Sequence, residues 1–237
     1  MKKIYISLFF LLIGQIIVAQ TTETFETETN LGTSFTDNSQ AFNITTQAGG
    51  SFVITTATAK GWNGTAADNK FIDNNATADI GIPVQFTIKS SGSKAFKLKS
   101  MYLLLTKSNM NVGSGSCTIT GKLSNVTVFT ATSSTGFNSN MGVANGFTLI
   151  NLVTYGGTDN SNKNIDEFVI TTTGSFEYVA LDALKWDTVP SLSNDVFEKN
   201  SLSIYPNPVS DLLNINFSED ITAIKVTNSL GQSVLEK

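Results

Sequence analysis

Carboxylates supply most of the reactive chemistry in this sequence, because histidine is absent and cysteine occurs once. The 237 residues include 19 Asp and Glu, 15 lysines and no histidine. Without histidine, Ser-His-Asp, Cys-His and zinc-His sites are excluded. The single Cys117 lies in a strand-like segment, where a small buried residue is favoured over a nucleophile, and it has no partner for an internal disulfide.

One acid stands inside an apolar run. Asp182 interrupts the segment Phe-Glu-Tyr-Val-Ala-Leu-Asp-Ala-Leu-Lys-Trp at 176–186. A buried, unpaired carboxylate is costly, so it must neutralise or find a partner. Two interpretations stay open: Asp182 binds a ligand, or it caps backbone N–H groups or points to solvent at a bulge.

Trp62 stands between turn residues, in Gly-Trp-Asn-Gly, and not in a strand. An exposed Trp could stack on the apolar face of a sugar ring, while Asn63, Asp68 and Asn69 bond its hydroxyl groups. The alternative is a ring folded back over the rim of the domain. The Asn- and Asp-rich segment 68–75 lacks the spacing of an EF-hand and predicts a solvated turn.

A pair of carboxylates could also cleave glycosides without histidine. Asp73, Asp79, Asp166 and Glu167 are candidates, but spacing along the chain does not establish distance across a cleft. We therefore expect a binding protein and not an enzyme, with a fragment of a His-free polysaccharide-degrading enzyme as one alternative.

Strand patterns separated by Gly-, Asn- and Ser-rich turns dominate the elements that must position these residues. No segment has an amphipathic helical period. The sequence predicts an all-β fold, an antiparallel sandwich of jelly-roll type over residues 20–189. The predicted strands cover 25–28, 41–46, 52–57, 84–89, 94–106, 117–123, 126–131, 147–153, 167–172 and 176–186.

The longest predicted strand, 94–106, alternates in a way that assigns its faces. Phe96, Leu98, Tyr102 and Leu104 are predicted to share one face of the sheet. Both faces are apolar in the second half, which predicts a central strand.

The N-terminus has the pattern of a secretory signal peptide. Lys2 and Lys3 precede an apolar run over 4–17, which is shorter than a membrane span, and cleavage is predicted after Ala19. The mature chain is therefore expected to leave the cytoplasm and not to span a membrane.

The C-terminal segment 201–237 begins with a turn stiffened by two prolines and ends near a Leu-Gly-Gln turn. Its signature residues are Tyr205, Pro206, Asn207, Pro208 and Gly231. This series resembles the C-terminal sorting domain of the type IX secretion system, by which many Bacteroidetes proteins cross the outer membrane. The resemblance implies contact with that secretion machinery and a final place outside the cell. With two strand-like runs after the turn, we expect a short, incomplete β-sandwich that follows a linker at 190–200.

The two ends of the domain at 20–189 resemble those of jelly-roll carbohydrate-binding modules and galactose-binding-like domains. Many of these families tie their first and last strands together with a structural calcium ion, through an early Glu and a late Asp. By that resemblance, Glu26 and Asp182 would bind calcium, with backbone carbonyls completing the 6–8 oxygen ligands that Ca²⁺ takes.

The sequence therefore predicts a secreted or cell-surface, non-catalytic carbohydrate-binding sandwich. An adhesive or structural surface protein without sugar binding is the other alternative. The chain has no arginine and a pI near 4.8. These features predict no nucleic-acid partner and no binding to anionic lipid.

Overall fold

The computed structural model describes residues 20–75, 80–138, 144–190, 203–206, 208, 211–217 and 220–236. The predicted leader 1–19 and nearly all of the predicted linker lie outside these residues, as do Asp79 and Asn207. The chain divides into two compact units, 1–190 and 191–237. Among the described residues, no helix combines the length and the apolar character needed to span a membrane.

The first unit is built from antiparallel strands, which confirms the all-β prediction. In chain order its described strands are β1 (Gln20–Glu23), β2 (Ser34–Asp37), β3 (Gln40–Ala48), β4 (Val53–Thr56), β5 (Lys70–Asp73), β6 (Gln85–Ser90), β7 (Phe96–Thr106), β8 (Cys117–Leu123), β9 (Val126–Ser133), β10 (Thr148–Asn151), β11 (Glu167–Thr172) and β12 (Tyr178–Thr188).

These strands form two sheets of a sandwich. The first sheet has the order β10-β7-β12-β5-β4, with β1 paired to the other part of β12. The second sheet has the order β2-β3-β6-β11-β8-β9. Strand β7 is therefore interior, as the sequence predicts. The neighbouring β12 carries Asp182 between β7 and β5.

An aromatic cluster fills one region of the core between the sheets. The Phe42 ring stacks on Phe35 with centroids 5.0 Å apart, and it meets Phe96 and Trp186 edge-on at 5.2 and 5.1 Å. Each ring lies at an inward-facing position of its strand, so the alternation of apolar residues in the sequence places these rings in the core.

Three predictions differ from the structure: one strand, one turn and the faces of one strand. Residues 25–28 form a turn, closed by the Glu28 N–H donating to the Phe25 carbonyl, and the chain instead opens with β1. The segment 68–75 is not only a solvated turn, because it contains β5, whose Phe71 and Ile72 are buried.

The third error concerns the faces of β7. Phe96 and Leu98 point into the main core together with Met101, whereas Tyr102 and Leu104 lie on the opposite face. The pairing of β7 with β12 shifts register between Lys185 and Trp186, beside Ser100 and Leu98. A bulge at this point reverses the alternation, and simple period-two counting does not detect it.

The second unit consists of short ladders. Strand β13 (Ser203–Tyr205) pairs with β14 (Asn214–Asn216), and β15 (Lys225–Thr227) pairs with β16 (Ser233–Glu236). Asn228 builds the turn before β16, because its Oδ1 accepts the N–H groups of Leu230 and Gln232, both at 3.0 Å. Gly231 has φ 80° in this turn, a conformation that favours glycine.

Candidate functional site

The outer face of the first sheet is covered by a second apolar cluster, separate from the core between the sheets. In a simple sandwich this face would be solvated. Here the loop at 57–69, which we call the Trp62 loop, and the segment around Phe147 fold over it. The buried members are Phe71, Leu104, Phe147, Tyr178 and Ala180, with Ala57, Trp62 and Tyr102 partly buried against them.

Trp62 lies against this face and is half-buried. Its ring stacks on Tyr102, with centroids 4.3 Å apart and planes 29° apart. The loop turns sharply before it at Gly61, where an added Cβ would lie 2.2 Å from the Asp68 carboxylate. The position of Trp62 thus combines the two alternatives that its sequence context leaves open: a folded-back ring that keeps part of its surface exposed.

Three carboxylates hold the backbone of the Trp62 loop. Asp182 accepts the Trp62 N–H at 3.0 Å, and Asp68 accepts the Asn63 N–H at 2.7 Å. Glu26 Oε1 accepts two amides at the far end of the loop, Asn69 N–H at 2.6 Å and Lys70 N–H at 2.8 Å. The structure therefore brings Glu26 and Asp182 to the same loop and adds Asp68, which sequence reasoning assigned to sugar binding.

Charge repulsion acts among the three acids, and a side-chain hydrogen bond also joins Asp68 to Asp182. Burial, together with the nearby charges of Asp68 and Glu26, raises the pKa of Asp182 to about 8, although the hydrogen bonds from Trp62 and Ala183 lower it. Burial also raises the pKa of Asp68, and Glu26 adds to that effect. No lysine of the described chain forms an ion pair with any of the three. A proton or a bound cation would relieve this repulsion.

The backbone beside two of these acids is strained. Phe25, next to Glu26, has φ 61°, and Ala183, next to Asp182, has φ 45°. Both are non-glycine residues in the left-handed region, and Ala183 lies at the register shift of β12 with β7. Such strain persists only where surrounding contacts impose it, and it concentrates at functional sites.

Glu26, Asp68 and Asp182 match calcium in charge and ligand type, but they supply too few oxygen ligands to complete its shell. Across the described ranges, no group of three or more Asp, Glu, His or Cys side chains is arranged to hold a metal ion. The hydrogen bonds of Glu26 and Asp182 come from backbone N–H groups, as the capping interpretation of Asp182 expects. Calcium at Glu26 and Asp182 stays a prediction in which other oxygens would supply most of the shell.

The residues predicted to bond sugar hydroxyls mostly organise the loop itself. Asp68 is buried, and Asn69 Oδ1 accepts the Ala59 N–H at 2.9 Å. Asn63 is exposed, while its Oδ1 accepts the Thr65 N–H at 2.8 Å. A role in sugar binding stays a prediction for all three, and Asn63 is the one whose position leaves it open to solvent.

The same face contains a cavity of about 300 Å³ that the sequence did not reveal. Asp73 lines it and is 1% exposed. Tyr178 Oη donates to Asp73 Oδ2 at 2.8 Å, and Thr55 Oγ1 donates to Oδ1. Burial raises the pKa of Asp73 despite these two bonds. The sequence signal that could have pointed to this site is the apolar pair in Lys-Phe-Ile-Asp at 70–73, which lies within a polar segment.

The other candidates for chemistry have structural surroundings. Glu167 pairs with Lys89 at 2.8 Å and Lys122 at 3.2 Å on the outer face of the second sheet. Asp166 is buried, and its Oδ2 accepts the Ser124 N–H at 3.1 Å. Burial raises the pKa of the Cys117 thiol to about 12, so it carries no thiolate at neutral pH.

The second unit matches a known protein family. Residues 203–237 match the family model described as a secretion system C-terminal sorting domain. This confirms the resemblance to the type IX sorting domain, and the chain is exported to the cell surface or secreted. No curated protein matches the sequence.

Solved structures resemble the chain at low identity. A DUF4465 family protein from Bacteroides caccae is 14% identical, with a TM-score of 0.41, and the match covers 78% of this chain and 99% of that one. CBM32-3 from a family 31 glycoside hydrolase of Clostridium perfringens is 21% identical, with a TM-score of 0.32 and coverages of 59% and 90%. The K1 cleaved adhesin domain of Lys-gingipain from Porphyromonas gingivalis is 11% identical, with a TM-score of 0.38 and coverages of 73% and 99%.

The raised pKa of Asp182 predicts how stability depends on pH. The folded state holds a proton on Asp182 up to about pH 8, whereas an unfolded Asp releases it near pH 4. The stabilising contribution is complete below pH 4 and is lost as the pH rises through 8. In EDTA, we expect the melting temperature to fall between pH 5 and pH 9, and Asp182→Asn to reduce that fall by at least about 3 °C.

Two controls separate this effect from general titration. Burial raises the pKa of Glu23 to about 7, so Glu23 also changes the melting temperature between pH 5 and pH 9. The quantity to measure is therefore the difference between the wild type and Asp182→Asn. Asp159→Asn is the second control. Hydrogen bonds from Ser161 lower the pKa of Asp159, so this substitution should leave the fall in melting temperature unchanged. Equal falls in the wild type and Asp182→Asn would contradict the assignment.

Proposed function

We propose that the first unit is a non-catalytic carbohydrate-binding sandwich that the second unit directs out of the cell. The observation that supports it most is the half-buried Trp62, stacked on Tyr102 at 4.3 Å and held by a loop whose backbone is fixed. A flat aromatic surface in a rigid loop suits the apolar face of a sugar ring, because little side-chain entropy is lost on binding.

Fixed loop geometry favours binding over catalysis in this proposal. Asp68 in the loop and Asp182 on β12 are buried, and both accept backbone N–H groups, so each has a structural role. Glu167 is neutralised by two lysines. These surroundings support a binding role, in which the protein presents a surface to a glycan and does not transform it.

An adhesive surface role without sugar binding is the second candidate, and one feature favours it. Strand β9 is at the edge of the second sheet, and Val126 and Val128 on it are 68% and 37% exposed. An exposed edge strand can pair with a strand of another protein. Such a protein would bind a protein partner and show no retention on glycans.

For the carboxylates, we propose a bound calcium ion beside Asp182. The support is the mutual repulsion of Glu26, Asp68 and Asp182 without a lysine partner in the described chain. Calcium takes carboxylate and carbonyl oxygens and would supply the missing positive charge. Its role would be structural, to hold the Trp62 loop against the sheet.

Trp62→Ala in the full chain should abolish retention on polysaccharide columns, since the stacking surface is removed. The backbone N–H that Asp182 accepts remains, so we expect only a modest fall in melting temperature from the lost contact with Tyr102. Trp62→Phe keeps an aromatic face and should retain most of the binding. Unchanged retention in Trp62→Ala would exclude this residue from the binding surface.

Calcium should raise the melting temperature at pH 8, and EDTA should reverse the rise, because a ligand that binds only the folded state stabilises it. Magnesium at the same concentration is the control, since it demands a stricter octahedral shell. Asp182→Asn should remove most of the response. No shift at millimolar calcium would overturn the calcium proposal and leave a proton as the group that relieves the repulsion.

A further inference from the structure

The cavity on the outer face of the first sheet has the features of a ligand pocket. Its buried lining consists of Phe71, Leu104, Phe147, Tyr178 and Asp73, and its exposed lining includes Lys60, Asn75 and Met110. One end is therefore deep and the other opens to solvent. The volume of about 300 Å³ is at the lower limit for small-molecule sites, which suits one ring and not a length of polymer.

The cavity has a buried carboxyl group at its deep end, and a cavity with a purely structural role would not need one. Asp73 is 1% exposed and forms no ion pair with a lysine in the part of the chain that the structure describes. Replacing a buried polar group and its hydrogen-bond partners by apolar groups of the same shape can be neutral or stabilising, so packing alone does not require an acid here. A perturbed acid in a cleft is instead a candidate for ligand contact.

Asp73 is held in one orientation and keeps capacity for another bond. Its Oδ2 accepts one hydrogen bond, from Tyr178 Oη at 2.8 Å, and its Oδ1 accepts Thr55 Oγ1 and the Asn75 N–H at 3.3 Å. A carboxylate offers about four acceptor positions. One position, on Oδ2, therefore remains for a ligand hydroxyl.

The charges around the cavity select the class of ligand. An organic cation would meet the Lys60 ammonium group, and an anion would meet the carboxyl group of Asp73. A neutral ligand avoids both conflicts. The remaining walls are apolar and aromatic, with the Phe71 and Phe147 rings 6.1 Å apart and their planes 70° apart.

We infer that this cavity binds a single neutral sugar ring, such as the terminal residue of a glycan. The apolar face of the ring would pack on Phe71 and Phe147, and one hydroxyl would donate to Asp73 Oδ2. Asn75 and Lys60 at the exposed end would bond the hydroxyls nearer to solvent. The inference deepens the proposed carbohydrate-binding function and rests on it, and it adds specific contacts in the cavity to the stacking surface of Trp62.

The test uses the full chain and methyl glycosides of glucose, galactose, mannose and N-acetylglucosamine, with binding followed by ligand-observed NMR and calorimetry. Lys60→Trp should block the open end and weaken binding of the preferred glycoside at least tenfold. Lys94→Trp is the matched control, because Lys94 is exposed, lies outside the cavity and should tolerate the same change. Asp73→Asn should also weaken binding, because it removes one acceptor oxygen.

The outcomes separate this inference from the proposed function. If Lys60→Trp and Asp73→Asn leave glycoside binding unchanged while Trp62→Ala abolishes it, the cavity inference is overturned and the carbohydrate-binding function is retained. Loss of binding in both cavity variants, with melting temperatures near that of Lys94→Trp, would support the cavity. Absence of wild-type binding to every glycoside and to the polysaccharide columns would overturn both proposals.

Discussion

Carboxylates that accept backbone amides are the constraint on which the candidate site depends. Asp182, Asp68 and Glu26 fix the Trp62 loop near its middle and at its C-terminal end, through amides at 62, 63, 69 and 70. A hydrogen bond to a neutral acceptor, such as protonated Asp182, contributes roughly 0.5–1.5 kcal/mol, and one to a charged acceptor contributes about twice as much. These bonds offset the cost of burying Asp182 and Asp68, and they hold the loop as a fixed cover over the outer face of the sheet.

The remaining features of that face follow from this cover. Because the loop encloses a face that would otherwise be solvated, Trp62 can stack on Tyr102, and a cavity remains beside Phe147 where the packing is incomplete. The strained backbone at Ala183 places the Asp182 carboxyl group under the loop. The match to a sorting domain lies in the second unit, so export is directed by a different part of the chain from the one that holds the Trp62 loop.

Sequence patterns predicted the parts of this protein that local chemistry determines. Strands β8 and β11 lie at their predicted bounds, since alternation and flanking turns define both. The sorting motif was also recognised correctly. The face reversal in β7 was missed because a bulge depends on pairing with β12. The partner of Asp182 was missed because Trp62 is 120 residues away in the chain, and a backbone N–H leaves no signature in side-chain types.

Hydrogen exchange of the Trp62 loop tests this account most directly. Amides in a surface loop normally exchange quickly, since local opening costs little free energy. The amides of Trp62, Asn63, Asn69 and Lys70 should exchange slowly, like those of the strands beside them, while the amide of Ala66, which is exposed, should exchange quickly. Rapid exchange at all five positions would show that the carboxylates do not hold the loop, and the proposed binding face would lose its basis.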